Sequence, residues 1–389
     1  MDKFFSDIFK LKERVKNVYI YGAGIYGQNI YKILADKNIS IDGFILTNNE
    51  GVKSLFDLPV YGAREILKDE VGIITGVNAH NLLSVLEVLK SFDVSQDNIL
   101  FGHRFIEKYG IRGGYDEKPT IEITTTVGCS VNCKYCPQGV LVTGYYNEHK
   151  RPKYMTLEVF EQCLNNFPRE CTIIFSGMAE PFLNSNCLKM LTMACESGRQ
   201  VDLYTTLLGA KFDTVMALGQ LPLNFVTLHV ADKYNYAHIP VNEEYYRKIE
   251  WLLHHTKRDG SNFVNVCNAQ DEPDARIKEI CDGKYEILTT MLDRAGNLSN
   301  PNLFSKRNLH GSISCSICGD KLNHNILLPD GTVLMCCMDY GMKHVFGNLL
   351  KQSYDEIMNS TEYQRVKSGM SGNENVEILC RNCSCANAI

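Results

Sequence analysis

Short β-branched, apolar segments alternate with helical segments along most of this chain. Between Thr120 and Asn297 they recur about every 30 residues, a spacing typical of βαβ units. The segments that predict strands there are IEITTT, CTIIFS, VDLYTT, FVTLHV, FVNVC and EILTTML. Such a series predicts an α/β fold with a partial (β/α)6 barrel over residues 120–300, whose functional site lies at the carboxyl ends of the strands.

Residues 1–105 show the same alternation on a smaller scale. Strands are predicted at NVYIYG, SIDGFILT, VGIITG and NILF, and helices at QNIYKILADK and NLLSVLEVLKSF, with LFDLPVYG as a loop. This order predicts a Rossmann-like parallel sheet. The Gly-rich residues 106–119 predict a linker, and residues 310–389 predict a small Cys-rich α+β domain.

Charge and hydropathy exclude several classes of protein. The net charge is -5, and no long basic run provides a face for nucleic acid. No apolar run approaches the roughly 18 residues of a membrane span. The first residues, MDKFFSDIFKLKERVKN, lack the apolar core of a signal peptide and predict an amphipathic helix docked on the next domain. We therefore expect a cytoplasmic protein.

The chain contains 16 cysteines. In a reducing cytosol such a number indicates metal binding or catalysis. A disulfide-rich secreted protein is the alternative, but such proteins are normally short and carry a signal peptide.

Cys129, Cys133 and Cys136 lie within eight residues, directly after the first predicted strand of the barrel. A 4Fe-4S cluster is usually held by four thiolates, so three ligands leave one iron open to an outside ligand. A zinc site or another cluster is the alternative, but structural zinc requires a fourth ligand close by.

The C-x3-C-x2-C spacing, with Tyr135 directly before the last cysteine, resembles the radical S-adenosylmethionine (SAM) superfamily. The resemblance implies that the open iron binds SAM and that an electron from the cluster cleaves it. The resulting 5'-deoxyadenosyl radical abstracts hydrogen from a substrate. It also implies an electron donor of the flavodoxin or ferredoxin type and catalytic roles for the three cysteines.

Other parts of the family pattern imply further SAM contacts. FSGMAEPFLN resembles the Gly-Gly-Glu motif, with one glycine missing, and the corresponding residues are Gly177, Met178, Ala179 and Glu180. Thr205 and Thr206 end the third strand, where the family often has a polar residue near ribose. Arg294 follows the sixth strand and is suited to a carboxylate or a substrate anion. The alternatives are an exposed charge at Glu180 and a surface salt bridge at Arg294.

The last eighty residues contain the segments CSIC, MCC and CRNCSC. Asp330-Gly331 predicts a β-hairpin between them, and SYDE (residues 353–356) predicts a capping box that opens a final helix. Alone, the two C-x2-C pairs also fit a zinc ribbon.

In this order the segments resemble SPASM and Twitch extensions, which bind auxiliary 4Fe-4S clusters, and favour the shorter Twitch form with one cluster. The implied ligands are Cys318, Cys336, Cys380 and Cys383, with Cys315, Cys337 and Cys385 as alternates.

Gly22, Gly24 and Gly27 stand between the first strand and the helix that follows it, as in a dinucleotide-binding fingerprint. The acid that such a site places after the second strand is missing, because that strand ends in FILTNN and Asp42 lies before it. The pattern YGAG…GFI…LPVYG resembles Rossmann-like domains of bacterial sugar-modifying acyltransferases. This resemblance implies a phosphate or nucleotide-sugar ligand; a domain without a ligand is the alternative.

Together these features predict a radical SAM enzyme that abstracts hydrogen from a sugar-like, small-molecule substrate. Oxidation or epimerisation would follow, and an epimerase needs a hydrogen donor such as Cys267, Cys315, Cys337 or Cys385. Maturation of a ribosomal peptide is one alternative. A non-catalytic module that senses metal or redox state is another.

Overall fold

The structure, a computed structural model, describes most of the chain. The described residues are 3–47, 53–77, 79–102, 118–147, 150–257, 260–282, 285–288, 292–298, 307–319 and 321–388. The chain divides into an N-terminal unit, Met1–Gly114 with Cys315–Ile317, and a C-terminal unit, Tyr115–Ser314 with Cys318–Ile389. Within the described ranges, no helix combines the length and the apolar character needed to cross a membrane.

A six-stranded sheet organises the N-terminal unit. Its strands are β1 (Val18–Tyr21), β2 (Gly43–Leu46), β3 (Ser54–Leu55), β4 (Leu58–Gly62), β5 (Gly72–Thr75) and β6 (Ile99–Phe101). The spatial order is β3-β4-β2-β1-β5-β6, and all neighbouring strands pair in parallel except β3 with β4. The helices are Lys3–Arg14, Ile25–Asp36, Ala63–Ile66 and Ala79–Ser91. The predicted parallel sheet is therefore present.

Both faces of this sheet are buried, as in parallel sheets generally. Along β1, Ile20 belongs to one hydrophobic cluster and Tyr21 to the other, because neighbouring side chains on a strand point to opposite faces. The predicted amphipathic helix, Lys3–Arg14, places Ile8 and Leu11 in the first cluster, where neither is exposed.

The segment LFDLPVYG, predicted as a loop, instead forms a hairpin and a sheet strand. Leu55 and Leu58 pair across a two-residue turn, and β4 continues alongside β2 in parallel. Both turn residues, Phe56 and Asp57, have positive φ, of 52° and 62°. The prediction was wrong because glycine or asparagine normally marks such a turn, and this one has neither.

A nine-stranded sheet organises the C-terminal unit. The strands that follow from the predicted β/α units are β7 (Thr120–Ile123), β8 (Thr172–Phe175), β9 (Gln200–Thr205), β10 (Phe225–His229), β11 (Val266–Ala269) and β12 (Glu286–Ile287). They lie side by side in chain order, and all pair in parallel. Their carboxyl ends therefore meet at one edge of the sheet.

Helices connect these strands. Their bounds are Gln138–Tyr146, Leu157–Asn165, Cys187–Glu196, Phe212–Leu218, Glu243–His254 and Ala275–Ile280. The predicted N-cap at Thr156 is confirmed, because its hydroxyl oxygen accepts a hydrogen bond from the Val159 N–H at 3.2 Å.

The fifth and sixth strands differ from the sequence prediction. The fifth begins at Val266, not at Phe263, because Phe263 lies before the strand and its N–H donates to the His255 carbonyl. The sixth comprises Glu286–Ile287, and residues 289–291 of its predicted segment lie outside the described residues. The predicted linker also lies almost wholly outside them.

Three strands of the cysteine-rich tail extend the same sheet: β14 (His324–Leu327), β15 (Thr332–Leu334) and β16 (Val345–Asn348). Two further strands, β13 (Ile313–Cys315) and β17 (Ala386–Ala388), pair with each other in a separate sheet. The predicted hairpin at Asp330-Gly331 is confirmed by the antiparallel pairing of β14 with β15. On its other side, β14 pairs with β7 in parallel, so the tail continues the sheet of the predicted barrel.

The predicted capping box at Ser353 is confirmed, but the helix it opens is not the last one. That helix spans only Tyr354–Ile357, and a second helix, Thr361–Met370, follows with Ser360 as its N-cap. Ser360 can begin this second helix because its side chain accepts the Tyr363 N–H at 3.2 Å.

A buried hydrogen bond connects β7 to β14. The His324 Nε2 hydrogen-bonds Glu122 Oε1, and the Ser176 hydroxyl donates to Glu122 Oε2 at 2.8 Å. Burial by itself raises the pKa of Glu122, but these hydrogen bonds and the charge of Arg294 outweigh it, and the pKa falls below its usual value. Glu122 is therefore ionised at neutral pH.

Replacing Glu122 with Gln is expected to destabilise the protein, because it leaves His324 buried beside a neutral amide. We expect a loss of roughly 1–3 kcal/mol at pH 7. The carboxylate stabilises the fold above its unfolded pKa, and this contribution is lost as the pH falls through its lowered folded pKa. The difference in thermal midpoint between wild type and Glu122→Gln should therefore shrink as the pH is lowered.

The matched control is Glu161→Gln, which changes an exposed carboxylate of the helix Leu157–Asn165. It should leave the midpoint nearly unchanged. An equal loss in both variants, or a difference that grows in acid, would contradict the assignment of an ionised Glu122.

Candidate functional site

The three-cysteine loop begins where β7 ends. Thr124, Thr125 and Thr126 follow the strand and are fully buried. The Thr125 hydroxyl donates to the Pro181 carbonyl at 2.8 Å, and Thr124 Oγ1 accepts from the Met178 N–H at 3.0 Å. These bonds fasten the loop after β7 to the loop after β8.

A cavity of about 400 Å³ lies at the carboxyl ends of the strands. Cys129, Cys133 and Cys136 all line it, so the structure brings the three predicted cluster ligands to one space. The other predicted SAM contacts of the C-terminal unit line it as well: Tyr135, Gly177, Met178, Ala179, Glu180, Thr205, Thr206 and Arg294. Sequence spacing and sheet topology thus place residues from four separate loops around one cavity.

Each thiol of the loop has a defined environment. The Glu180 N–H donates to Cys129 Sγ at 3.4 Å, and Gln138 Nε2 donates to Cys136 Sγ at 3.3 Å. Burial raises the pKa of Cys133 to about 12, although a hydrogen bond from the Tyr135 side chain lowers it. A thiolate at Cys133 therefore requires a positively charged partner, which iron provides.

The donor set fits an iron-sulfur cluster, because three thiols of one loop line the same cavity. Among the described residues, no three Cys, His, Asp or Glu side chains converge as the ligands of one ion do. The ligands of a 4Fe-4S cluster bind different iron atoms and surround a larger space. The described lining of the cavity contains no fourth cysteine, so one iron would remain open.

Glu180 is buried, and its exposed fraction is 6%. Its Oε1 accepts from the Thr205 hydroxyl at 2.6 Å and the Phe182 N–H at 3.2 Å. Its Oε2 accepts from the Thr206 N–H at 2.6 Å and hydroxyl at 2.7 Å. These four donors occupy the roughly four lone-pair positions that a carboxylate offers. The alternative interpretation, that Glu180 is an exposed charge, is therefore wrong. Its hydrogen bonds connect the loop after β8 to the end of β9.

The alternative interpretation of Arg294, a surface salt bridge, is also wrong. Its Nε is buried without a hydrogen-bond partner among the described residues, and its guanidinium lies 5.8 Å from the ring of Tyr340. The negative charge of Glu122 acts on it from the sheet. A cation that lines a cavity and keeps an unused donor is suited to bind an anionic group there.

Several residues of the cavity were not found from the sequence. His229, Gln138 and Tyr340 line it, and the Tyr340 hydroxyl lies 3.3 Å from Cys136 Sγ. Burial raises the pKa of Tyr340 well above its usual value, so the hydroxyl keeps its proton. Gln138 stands two residues after Cys136, and this proximity is a signal that could have found it. No sequence pattern connects Tyr340 to the cysteine loop.

The four predicted auxiliary ligands are buried, with exposed fractions of 3–5%. They are Cys318, Cys336, Cys380 and Cys383. The last two lie on one turn, where the Cys383 N–H donates to the Cys380 carbonyl at 3.2 Å. Of the alternates, Cys385 is buried, Cys337 is half-buried, and Cys315 ends β13.

His344 fixes the turn that carries Cys380. Its Nε2 accepts from the Leu379 N–H at 3.0 Å, and its Nδ1 bonds Glu362 Oε1 at 2.7 Å. The His344 N–H in turn donates to Asp339 Oδ2, three residues after Cys336. These bonds connect the segments that carry two predicted ligands.

Packing requires two of the three predicted glycines of the N-terminal unit, Gly22 and Gly27. A Cβ at Gly22, whose φ is +111°, would lie 2.6 Å from the Gly76 carbonyl oxygen. A Cβ at Gly27 would lie 1.8 Å from the Gly22 carbonyl oxygen. At Gly24 a Cβ would meet nothing within 4 Å. Asp42, the acid nearest the second strand, directly precedes β2, and its side chain accepts the Val18 N–H at 2.8 Å.

Two family models match the chain. The model of the radical SAM superfamily matches residues 123–282, and that of SPASM, an iron-sulfur cluster-binding domain, matches residues 318–384. The parallel α/β sheet with three cysteines at its edge is thus a radical SAM domain. The chain therefore contains a radical SAM domain and a SPASM domain, and the two domains imply SAM and 4Fe-4S clusters, including an auxiliary cluster.

Three solved structures to which part of this chain is similar are the following. BtrN in complex with AdoMet and 2-DOIA is 18% identical with a TM-score of 0.47, over 69% of this chain and 93% of BtrN. Streptococcus suis SuiB bound to precursor peptide SuiA is 14% identical with a TM-score of 0.45, over 69% of this chain and 70% of SuiB. Native anSMEcpe with bound AdoMet is 14% identical with a TM-score of 0.36, over 63% of this chain and 81% of anSMEcpe. No curated protein matches the chain.

Iron analysis tests the two ligand sets. We expect about eight irons per chain after anaerobic reconstitution, because two 4Fe-4S clusters contain that number. Replacing Cys129, Cys133 and Cys136 with Ala should leave about four irons, and so should replacing Cys380 and Cys383.

The control is Cys171→Ala, which changes a buried cysteine directly before β8 that does not line the cavity. It should keep the full iron content. Zinc in place of iron at either set would contradict the assignment.

Proposed function

We propose that this radical SAM enzyme oxidises a sugar-like substrate, which is either free or linked to a nucleotide. The observation that carries the proposal is the cavity at the strand ends. It joins three thiols, an arginine and several polar side chains. When bound there, the cluster and SAM supply a 5'-deoxyadenosyl radical that abstracts a hydrogen atom from an unactivated C–H bond.

The roles of the chain's own residues follow from their positions. Cys129, Cys133 and Cys136 would hold the SAM-cleaving cluster. We assign the loop Gly177–Glu180 to the methionine end of SAM because the Glu180 N–H already contacts Cys129 Sγ. Thr205 and Thr206 would lie near the ribose, and Arg294 would bind a carboxylate.

Oxidation is favoured over epimerisation by the cysteines that surround the cavity. An epimerase must return a hydrogen atom to the substrate radical, and a cysteine thiol is a frequent donor. In the described lining of the cavity, the cysteines are the three loop residues alone. Of the four candidate donors, Cys267 is buried beside Cys281 with 3.7 Å between the sulfurs.

Oxidation requires that the substrate lose one more electron after the hydrogen atom has left. The cavity wall connects directly to the cysteine-rich tail, where Cys380 and Cys383 would hold an electron acceptor. Asp293, next to Arg294, accepts from the Ser384 N–H at 3.0 Å and hydroxyl at 2.8 Å. A second electron carrier, held by the segment whose Ser384 bonds Asp293, would suit a two-electron oxidation.

The oxidation also releases a proton, and His229 is placed to accept it. His229 ends β10 and lines the cavity. Burial lowers the pKa of His229 below its usual value, so the imidazole is neutral at pH 7. Asn268 Oδ1 accepts a hydrogen bond from Nδ1, which leaves Nε2 as the proton acceptor.

Hydroxyl-rich substrates match the polar part of the lining. Ser176, Tyr204, His229 and Gln270 offer hydrogen-bonding groups from four different strand ends. The N-terminal unit, with its Rossmann-like sequence pattern, supports a nucleotide-linked sugar. A peptide is the competing substrate class.

Anaerobic incubation with SAM and dithionite tests the first step. We expect 5'-deoxyadenosine from the wild type and none from the variant in which Cys129, Cys133 and Cys136 are Ala, because no cluster remains to bind SAM. Cys171→Ala is the matched control. Absence of 5'-deoxyadenosine from a wild type that contains both clusters would favour a non-catalytic sensor.

The substrate class is tested by adding candidate substrates to the same assay. Free sugars and nucleotide-sugars should raise 5'-deoxyadenosine formation and yield a product lighter by two hydrogens in mass spectrometry. Replacing Cys380 and Cys383 with Ala should reduce this product more than it reduces SAM cleavage. Stimulation by peptides instead of sugars would favour the peptide maturase, and a product of unchanged mass would favour epimerisation.

A further inference from the structure

The hydroxyl of Tyr340 lies 3.3 Å from Cys136 Sγ, although 204 residues separate the two in the chain. Cys136 belongs to the segment matched as radical SAM and Tyr340 to the segment matched as SPASM. We propose that Tyr340 is a positioning residue of the SPASM domain that sets the reduction potential of the SAM-cleaving cluster through a hydrogen bond to Cys136. The inference rests on the proposed function of the three cysteines.

The direction of this hydrogen bond follows from the chemistry of cluster ligands. A cysteine that binds iron does so as a thiolate and has no proton to donate. The Tyr340 hydroxyl must therefore be the donor and the sulfur the acceptor. Gln138 Nε2 approaches the same sulfur at 3.3 Å, so Cys136 receives side-chain donors from both domains.

Tyr340 is held firmly in this position. Its exposed fraction is 3%, and it packs in a cluster with Leu141, Tyr145 and Met178. The preceding residue, Asp339, accepts the backbone N–H groups of Lys343 and His344 at 2.8 Å each, which fixes the loop. A buried, oriented hydroxyl needs little reorganisation when the charge of its partner changes.

Hydrogen bonds to the sulfurs are among the features that set the potential of an iron-sulfur cluster. Reduction adds one negative charge to the cluster and its thiolates. A donor on Cys136 stabilises this reduced form more than the oxidised form, and it does so strongly because the site is buried. Removing the hydroxyl should therefore make the cluster harder to reduce.

The position of Tyr340 also gives the SPASM domain a direct influence on the other cluster. Tyr340 follows the proposed auxiliary ligand Cys336 by four residues, and the Asp339 N–H between them donates to the Cys336 carbonyl at 3.1 Å. Folding of this loop around its own cluster would thus place the donor on Cys136. The SAM-cleaving site would reach its working potential only with the SPASM domain in place.

The test compares full-length, anaerobically reconstituted wild type with Tyr340→Phe in an EPR-monitored redox titration. The relevant signal is the one that changes when SAM is added. We expect its midpoint to fall, so that the ratio of reduced to oxidised cluster at a fixed potential drops about tenfold, equivalent to about 59 mV for one electron. Iron content should stay equal to that of the wild type.

The matched control is Tyr145→Phe. Tyr145 lies in the same hydrophobic cluster, but its hydroxyl donates to the Pro152 carbonyl at 2.9 Å and not to a thiol. Its removal should leave the midpoint unchanged. An unchanged midpoint in Tyr340→Phe, or equal shifts in both variants, overturns the proposal.

A second substitution covers the case in which Tyr340→Phe does not assemble its clusters. Tyr340→3-fluorotyrosine keeps the ring and makes the hydroxyl a stronger donor, so the midpoint should rise; a midpoint that stays or falls overturns the proposal. A wild type without any SAM-sensitive signal would instead contradict the proposed function of the three cysteines.

Discussion

The parallel pairing of β14 with β7 is the constraint on which the functional arrangement depends. It joins a strand that begins at His324 to one that begins at Thr120, and it continues the sheet of the radical SAM domain into the SPASM domain. Because β7 leads directly into the cysteine loop, every residue anchored to β14 acquires a fixed position relative to that loop. Tyr340 reaches Cys136 for this reason.

Buried charges reinforce the same arrangement. Glu122 and Glu180 are both buried carboxylates, and each is surrounded by hydrogen-bond donors of the chain. The pKa values of the two groups shift in opposite directions. At Glu122 the hydrogen bonds and nearby positive charge outweigh burial and lower the pKa, whereas at Glu180 burial outweighs the hydrogen bonds and raises the pKa. Arg294 lies near Glu122 and keeps its Nε unused. On one side of the cavity, Glu180 is held by hydrogen bonds to Thr205 and Thr206. Arg294 is a cation with a donor that the described residues leave free, and it can bind an anion there.

Much of the site was predictable because its signals are local. The cysteine spacing, the βα alternation, the N-cap at Thr156 and the hairpin at Asp330-Gly331 each depend on residues close in the chain. The errors have local causes as well. The hairpin at Phe56-Asp57 lacks glycine and asparagine. The predicted final helix stops after Ile357, and Ser360 caps the start of another helix three residues later. The roles assigned to individual residues in SAM binding stay predictions.

The sequence by itself determined which side chains bear the chemistry, because cysteine spacing, strand periodicity and capping residues act within a few turns of chain. Only the tertiary structure decided which distant groups modify that chemistry. His324 on Glu122 and Tyr340 on Cys136 are each separated from their partner by about 200 residues. No short-range pattern encodes such contacts, because they arise from the register between two strands and from the packing of a shared core.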